Sequence, residues 1–381
     1  MMADKVRLAD IAMMKTGKLD SNAAVEDGEY PFFTCSQQTL RIDKPAYDTE
    51  AVLLDGNNAA GVFPLKYYQG QFNAYQRTYI IETLDPNVLN TRYLYYALRP
   101  ALSHFQSASI GAATQYLTRG ILDNFRIALP HIGSQDYIAS FLSTYDDLIE
   151  NNRRRIQLLE QAARLLYKEW FVHLRFPGHE HTKIINGIPE GWEKTTIGES
   201  ASFISRGITP KYDDNSQGIV INQKCIRGRM VNLDLARRQS KQVPPSKLVQ
   251  FGDALINSTG TGTLGRVSQL LFEIDGCTVD SHVTIVRPRE EVPVYYFGLH
   301  LTGLESYIAT LGRGATNQTE LSKDDIAALE IVLPSASPAQ MFESLVEPTF
   351  RQIRILSIQI EKLLKARDLL LPKLMNGEVA V

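Results

Sequence analysis

Cysteine is scarce: Cys35, Cys225 and Cys277 are the only three in 381 residues, far apart and in no CxxC spacing. An odd, scattered set argues against both a disulfide framework and a structural zinc, and it suits a reducing cytoplasm. No stretch approaches the roughly 18 consecutive apolar residues of a membrane span, and the opening MMADKVRLADIAMM has no apolar h-region. The expectation is a cytoplasmic chain, neither secreted nor membrane-bound. Excess charge is missing as well, since the formal net charge is −2 at pH 7. Any nucleic-acid surface must therefore be a local patch. Motifs of catalysis are absent too: no Asn/Asp-Pro-Pro-Tyr/Phe methyltransferase motif, no GxxxxGK phosphate loop, no GxSxG elbow and no acidic-acidic-Lys nuclease cluster. An enzyme reading has no residues to assign.

What is present excludes a disordered chain, with 44% hydrophobic and 22% charged residues over a length sufficient for two globular units. Residues 134–173 contain neither Pro nor Gly, and they carry an a/d seam of Leu142, Tyr145, Ile149, Asn152, Ile156, Leu159, Ala163, Leu166 and Trp170. The predicted helix is roughly 50 to 60 Å long, a strut rather than an ordinary domain helix. Asp146, Asp147 and Glu150 precede Arg153, Arg154 and Arg155, and Glu160 stands four residues before Arg164, which predicts solvated, internally paired outer faces. Asn152 is polar inside the apolar stripe. A lone Asn there can fix register at some cost in stability; the plain alternative is a surface helix that tolerates one polar position.

Residues 1–130 read as an α+β domain, with apolar runs at 51–55, 76–82 and 125–130, turn-forming GNNAAG and LDPN, and a helical segment at 88–102. After the helix at 131–175, the Gly- and Pro-rich stretch 174–199 reads as a linker. A second domain, 176–334 with its linker, repeats the first: AVLLDGNNAAG answers ALINSTGTGTLG, and QYLTRGILDNFRIALP answers TELSKDDIAALEIVLP. The strut repeats over 335–381, with Ser337 as the expected N-cap before Pro338 and a seam of Val346, Ile353, Leu356, Ile360, Leu363, Arg367, Leu370 and Leu374. Pro348 is expected to break or restart this helix and Pro372 to end or kink it. The fold class is thus α+β, two repeated α/β domains joined by two long antiparallel, coiled-coil-like helices with internal pseudo-twofold symmetry. Two similar surfaces held at a fixed distance suit a bipartite DNA site.

WFVHLRFPGHE (170–180), IPEGWEKTTIGE (188–199) and the Leu-Pro junction before each strut resemble the specificity (HsdS-type) subunit of type I restriction-modification enzymes. SRGITPKY, INQKCIRG, NSTGTGTLGRV and DSHVTIVRP in the second copy are similar to one type of target recognition domain. The resemblance implies a non-catalytic, DNA-binding subunit of host defence. Each recognition domain would read half of a bipartite double-stranded target, while the helices set half-site spacing and dock two modification (M) subunits. Restriction (R) subunits would join them. It implies no cofactor in this chain; S-adenosylmethionine, ATP and Mg would sit in the partners, which methylate adenine in DNA and cleave it. The alternatives are a specificity subunit of a fused type II enzyme and a coiled-coil adaptor that binds proteins rather than DNA.

The residues that could meet DNA are amides and guanidinium groups, which read base edges, and lysines, which hold phosphates. In the first domain they are Asn57, Asn58, Lys66, Tyr75, Gln76, Arg77, Thr114, Gln115, Tyr116 and Arg119. Asn57 and Asn58 equally suit a plain turn. In the second they are Arg206, Lys211, Tyr212, Asn222, Gln223, Lys224, Arg227, Arg229, Ser258, Thr261, Arg266, Arg313, Asn317 and Gln318. Any one of these basic residues by itself could be ordinary solvated surface. Gly260–Gly265 fits GxGxxG, but the following RVSQLLFEIDG reads as strand and turn, whereas a dinucleotide loop must open a helix. His179-Glu180-His181 is not HExxH and lies in the linker, so a metal is not expected there.

Overall fold

A computed structural model describes residues 4–58, 61–228, 230–314 and 319–379. The chain divides into two compact units, Met1–Asn151 with Ile360–Val381, and Asn152–Gln359.

In the first unit six strands pair in the spatial order Ala12–Thr16, Thr78–Thr83, Tyr47–Asp55, Leu65–Ala74, Tyr30–Phe33, Leu40–Ile42. All pairs are antiparallel except Tyr30–Phe33 with Leu65–Ala74. Side chains alternate faces along a strand. Val52 and Leu54 therefore join one core with Tyr93, Tyr96 and Phe105, while Ala51 and Leu53 join another with Phe33 and Phe72. The helix Thr91–Leu98 is capped by Asn90, whose side chain accepts the Tyr93 N–H.

The second unit runs on the same frame. Lys5–Arg7 pairs with Arg126–Ala128 in the first unit, as Glu193–Thr196 pairs with Glu330–Leu333 in the second. The Leu8 N–H donates to the Phe125 carbonyl as that of Ile197 does to Leu329, and Gly56 N–H to Arg77 O as Ser258 N–H to His282 O. One difference is visible in the sheet. The single strand Leu65–Ala74 corresponds to two in the second unit, Val267–Gln269 and Cys277–Val279, so the sheet splits into a four-stranded and a three-stranded part.

The first long helix is Ile132–Tyr167, followed by one wider turn at Lys168–Val172. Leu142, Ile149, Asn152, Ala163 and Trp170 are buried, and Tyr145, Ile156, Leu159 and Leu166 half-buried, at the expected seam spacing. The second helix, Ala336–Met375, is continuous. It starts before Ser337, with the Ala339 N–H bonded to the Ser335 carbonyl. Pro338 is tolerated because first-turn N–H groups have no helical partner in any case. Pro348 does not break the helix either. Its ring is exposed, the carbonyl it frees at Ser344 is on an exposed residue, and Val346, Phe350 and Ile353 anchor both sides in the core. Pro372 sits three residues before the end and interrupts nothing. Ile353 and Leu356 are buried and Ile360, Leu363 and Leu370 half-buried, while Leu371 carries the deeper burial expected of Leu370.

Within each unit the helix segments run antiparallel. In the second, Asn152 Nδ2 donates to Gln359 Oε1 at 3.3 Å and Trp170 packs on Phe342. In the first, Arg367, buried in the seam, pairs with Asp146, whose other oxygen accepts the Tyr96 hydroxyl at 2.7 Å. The stretch 174–199 is not a free linker. Phe176 and Trp192 stack at 4.9 Å inside the second core, and a hairpin turns at Asn186-Gly187, both with positive φ.

Candidate nucleic-acid interface

The first unit carries a two-stranded ribbon in which Asn57 faces Tyr116 and Asn58 faces Gln115. Neither asparagine has positive φ, so both are strand residues rather than turn formers. Cys35 Sγ donates to Asn57 Oδ1 at 2.8 Å, which fixes the carbonyl end of that amide. Beside the ribbon lies a cleft of about 450 Å3 lined by Gln76, Arg77, Tyr79, Tyr116 and Arg119. Arg77 sits 5.8 Å from the Tyr116 ring centroid, Gln76 Nε2 reaches Asp20 Oδ2 at 3.4 Å, and Arg119 pairs with Asp123 at 3.4 Å. Thr114 is half-buried in the loop before the ribbon. Four residues singled out from the sequence thus share one cleft.

Lys66 and Tyr75 do not join them. Tyr75 is part of the frame, its N–H bonded to the Phe33 carbonyl. Lys66 turns inward, donating to the Ser36 carbonyl at 2.8 Å beneath the ribbon. Burial lowers its pKa while Asp55 raises it. Asp55 is 2% exposed with Oδ2 unpartnered, and burial pushes its carboxyl up to about 8. Composition and spacing carry no signal for this pair, because both lie in an ordinary strand sequence.

In the second unit the corresponding positions hold different side chains. Gln223 stands where Cys35 does and holds the Gly-rich loop, Nε2 donating to Thr259 O at 2.5 Å and to Thr259 Oγ1 at 2.7 Å. Arg206 precedes Gly207 as Thr16 precedes Gly17. Its guanidinium donates to Leu321 O at 2.9 Å and pairs with Glu320 at 3.5 Å, so it fastens frame to loop. Ser258 is fully buried and shares a hydrogen bond with Thr284 at 2.5 Å, which makes its hydroxyl a packing group rather than a surface one. Asn222 likewise ties Leu235 O to its own turn. Arg313 is exposed and pairs with Asp325 at 2.7 Å, and Arg266 is half-buried. Lys211, Tyr212, Lys224, Arg227 and Thr261 are exposed. Arg229, Asn317 and Gln318 lie outside the described residues. Arg237, not singled out from sequence, stacks 3.5 Å from the Tyr212 ring centroid.

The Gly260–Gly265 loop leads into the strand Val267–Gln269, not a helix, so it lacks the N-terminus that would hold a pyrophosphate. Gly260 has φ 101°, and a Cβ there would meet Thr263 Oγ1 at 2.4 Å, so the loop's tightness requires glycine. Among the described residues no His, Cys, Asp and Glu cluster could hold a metal, and no helix is long and apolar enough to cross a membrane.

The two mixed α/β units thus display short strand ribbons and tight loops that carry amides and guanidinium groups. Comparison supplies relatives. Residues 3–161 match the model of the type I restriction modification DNA specificity domain. The EcoDI specificity subunit of Escherichia coli is 33% identical over 228 residues, 54% of this chain. That match spans half the length of the E. coli subunit. The MjaIX specificity subunit of Methanocaldococcus jannaschii is 28% identical over 307 residues, 76% of this chain and 69% of the relative. The type I restriction-modification system S subunit from M. genitalium shares the fold, with a TM-score of 0.62 and 18% identity over 97% of this chain and 95% of that one. The chain is thus similar to the specificity subunits of type I restriction enzymes, and the match to the DNA specificity domain model covers residues 3–161.

Proposed function

We propose that this chain is the non-catalytic subunit that selects the DNA target of a type I restriction-modification complex, each unit reading one half of a bipartite double-stranded sequence. The observation that carries this reading is one frame with two sets of readers. Backbone hydrogen bonds match between the units, while the matching positions hold different side chains, the half-buried Asn57 against Thr259 and the exposed Arg77 against His282 and Tyr116 against Glu320. A shared scaffold with different donors and acceptors suits two different half-sites.

In this reading the long helices set the spacing between half-sites and dock two modification subunits, which restriction subunits join. Leu158, Leu165, Leu345 and Leu369, each more than half exposed on those helices, support a protein-binding role. S-adenosylmethionine, ATP and Mg belong to the partners' chemistry, adenine methylation and ATP-dependent cleavage.

Purified with the products of its neighbouring genes, the chain should shift only DNA carrying one bipartite sequence. Binding should weaken steeply with salt as phosphate contacts release counterions. Retention of protein partners with indifference to DNA sequence and to salt would instead establish an adaptor.

A further inference from the structure

We infer that Arg237, laid on the ring of Tyr212, reads a guanine in the half-site met by the second unit; this rests on the DNA-specificity reading above. Arg237 Cζ lies 3.5 Å from the ring centroid, and both side chains are exposed. The pair belongs to the sheet, not to a free loop: Arg237 faces Val220 across the strands, and Tyr212 bridges Gln239. Asn222 holds the Leu235 carbonyl at 2.7 Å, and the adjoining Gln223 holds Thr259. The stack is thereby tied to the Gly-rich loop of the same unit.

Three other arginines of the unit are committed within the protein. Arg206 and Arg238 donate to the carbonyls of Leu321 and Gln217, and Arg287 grips Asp253 with two bonds of 2.8 Å. Among the described residues no carboxylate pairs with Arg237; Asp213, next to Tyr212, turns its oxygen to the Asn215 N–H at 3.1 Å. Stacking occupies a guanidinium's face and leaves its edge of N–H donors free in the plane. It also removes rotamer freedom before any ligand arrives. A fixed planar fork with a free edge matches guanine O6 and N7, the two acceptors presented side by side in the major groove. A phosphate needs no such planarity. Lys211, beside Tyr212, and Lys224 are exposed and suit that role.

The test uses the chain assembled with its modification subunits. Modification mapping gives the wild-type target, and binding is then measured on all single-base variants for wild type, Arg237→Lys and Tyr212→Leu, with thermal melts to confirm folding. Arg237→Lys keeps the charge and loses the fork. It should relax preference for guanine at one position of one half-site by roughly 10- to 100-fold, leaving the other half-site and the salt slope unchanged. Tyr212→Leu should relax the same position. Uniform weakening on every sequence, or an unchanged preference in a folded Arg237→Lys complex, overturns the inference while leaving the DNA reading intact. A wild-type complex with no sequence preference overturns both.

Discussion

The two buried carboxylates Asp253 and Asp55 differ in what surrounds them. Asp253 is fully buried, and although burial pushes its carboxyl up, the bidentate Arg287 guanidinium and the Gln250 N–H pull it back. Asp55 has no such partner set, with only Thr78 and the charge of Lys66 favouring its ionised form. A carboxyl held near 8 in the folded chain, against a usual value of about 4, binds its proton more tightly folded than unfolded. Stability therefore falls as pH rises from about 4 towards 8. Asp55→Asn removes that loss. Chemical denaturation followed at pH 5 and pH 8 should show the variant gaining on wild type at the higher pH, by about 1–3 kcal/mol for a poorly compensated buried charge. A gain that does not change with pH would place the Asp55 proton elsewhere.

At the scale of elements, the paired helices carry a polar contact in the seam of each unit, Arg367 with Asp146 in one and Asn152 with Gln359 in the other. A buried polar side chain with a partner across an apolar seam, as Arg367 and Asn152 are here, penalises slipped registers, since a one-heptad slip would leave it unmatched. Asn152→Leu should raise stability by about 1 kcal/mol, because leucine gains burial and Gln359, being exposed, finds water instead. That corresponds to a melting shift of about 2–4 °C for a unit of this size. With Arg367 still in place the register should hold, and spacer choice with it. A destabilised Asn152→Leu would show that the amide contributes more than its hydrogen bond to Gln359 suggests. Arg367 is the harder case, since losing it would leave Asp146 half-buried beside Tyr96 and Arg99.

For the whole molecule, both long helices pass from one compact unit into the other, at Asn151–Asn152 and Gln359–Ile360. If spacing is set by helix length, four residues inserted into the first helix add about 6 Å, or roughly two base pairs of spacer. Modification mapping of that variant should return the same half-sites with a longer gap. An unchanged gap would remove the ruler role and leave docking as the helices' function.

The α+β class, the two struts and the repeat were legible in the sequence because periodicity and self-similarity are local signals: heptads from Leu142 to Trp170, alternation in AVLLD, and a strand with Leu-Pro before each helix. The passage of the second helix through Pro348 was not, since burial of Val346, Phe350 and Ile353 overrides a local breaker. The folding-in of 174–199 was hidden for the same reason, as Phe176 and Trp192 acquire partners only in the folded core. Residue types named the candidate readers; the fold sorted them, burying Ser258, turning Lys66 inward and committing Arg206 to Leu321, and it laid on Tyr212 an arginine, Arg237, that residue type and spacing had not singled out. Sequence fixes which donors and acceptors exist and the period on which they recur. Which of them reach solvent depends on contacts between residues tens of positions apart, and only tertiary packing decides those.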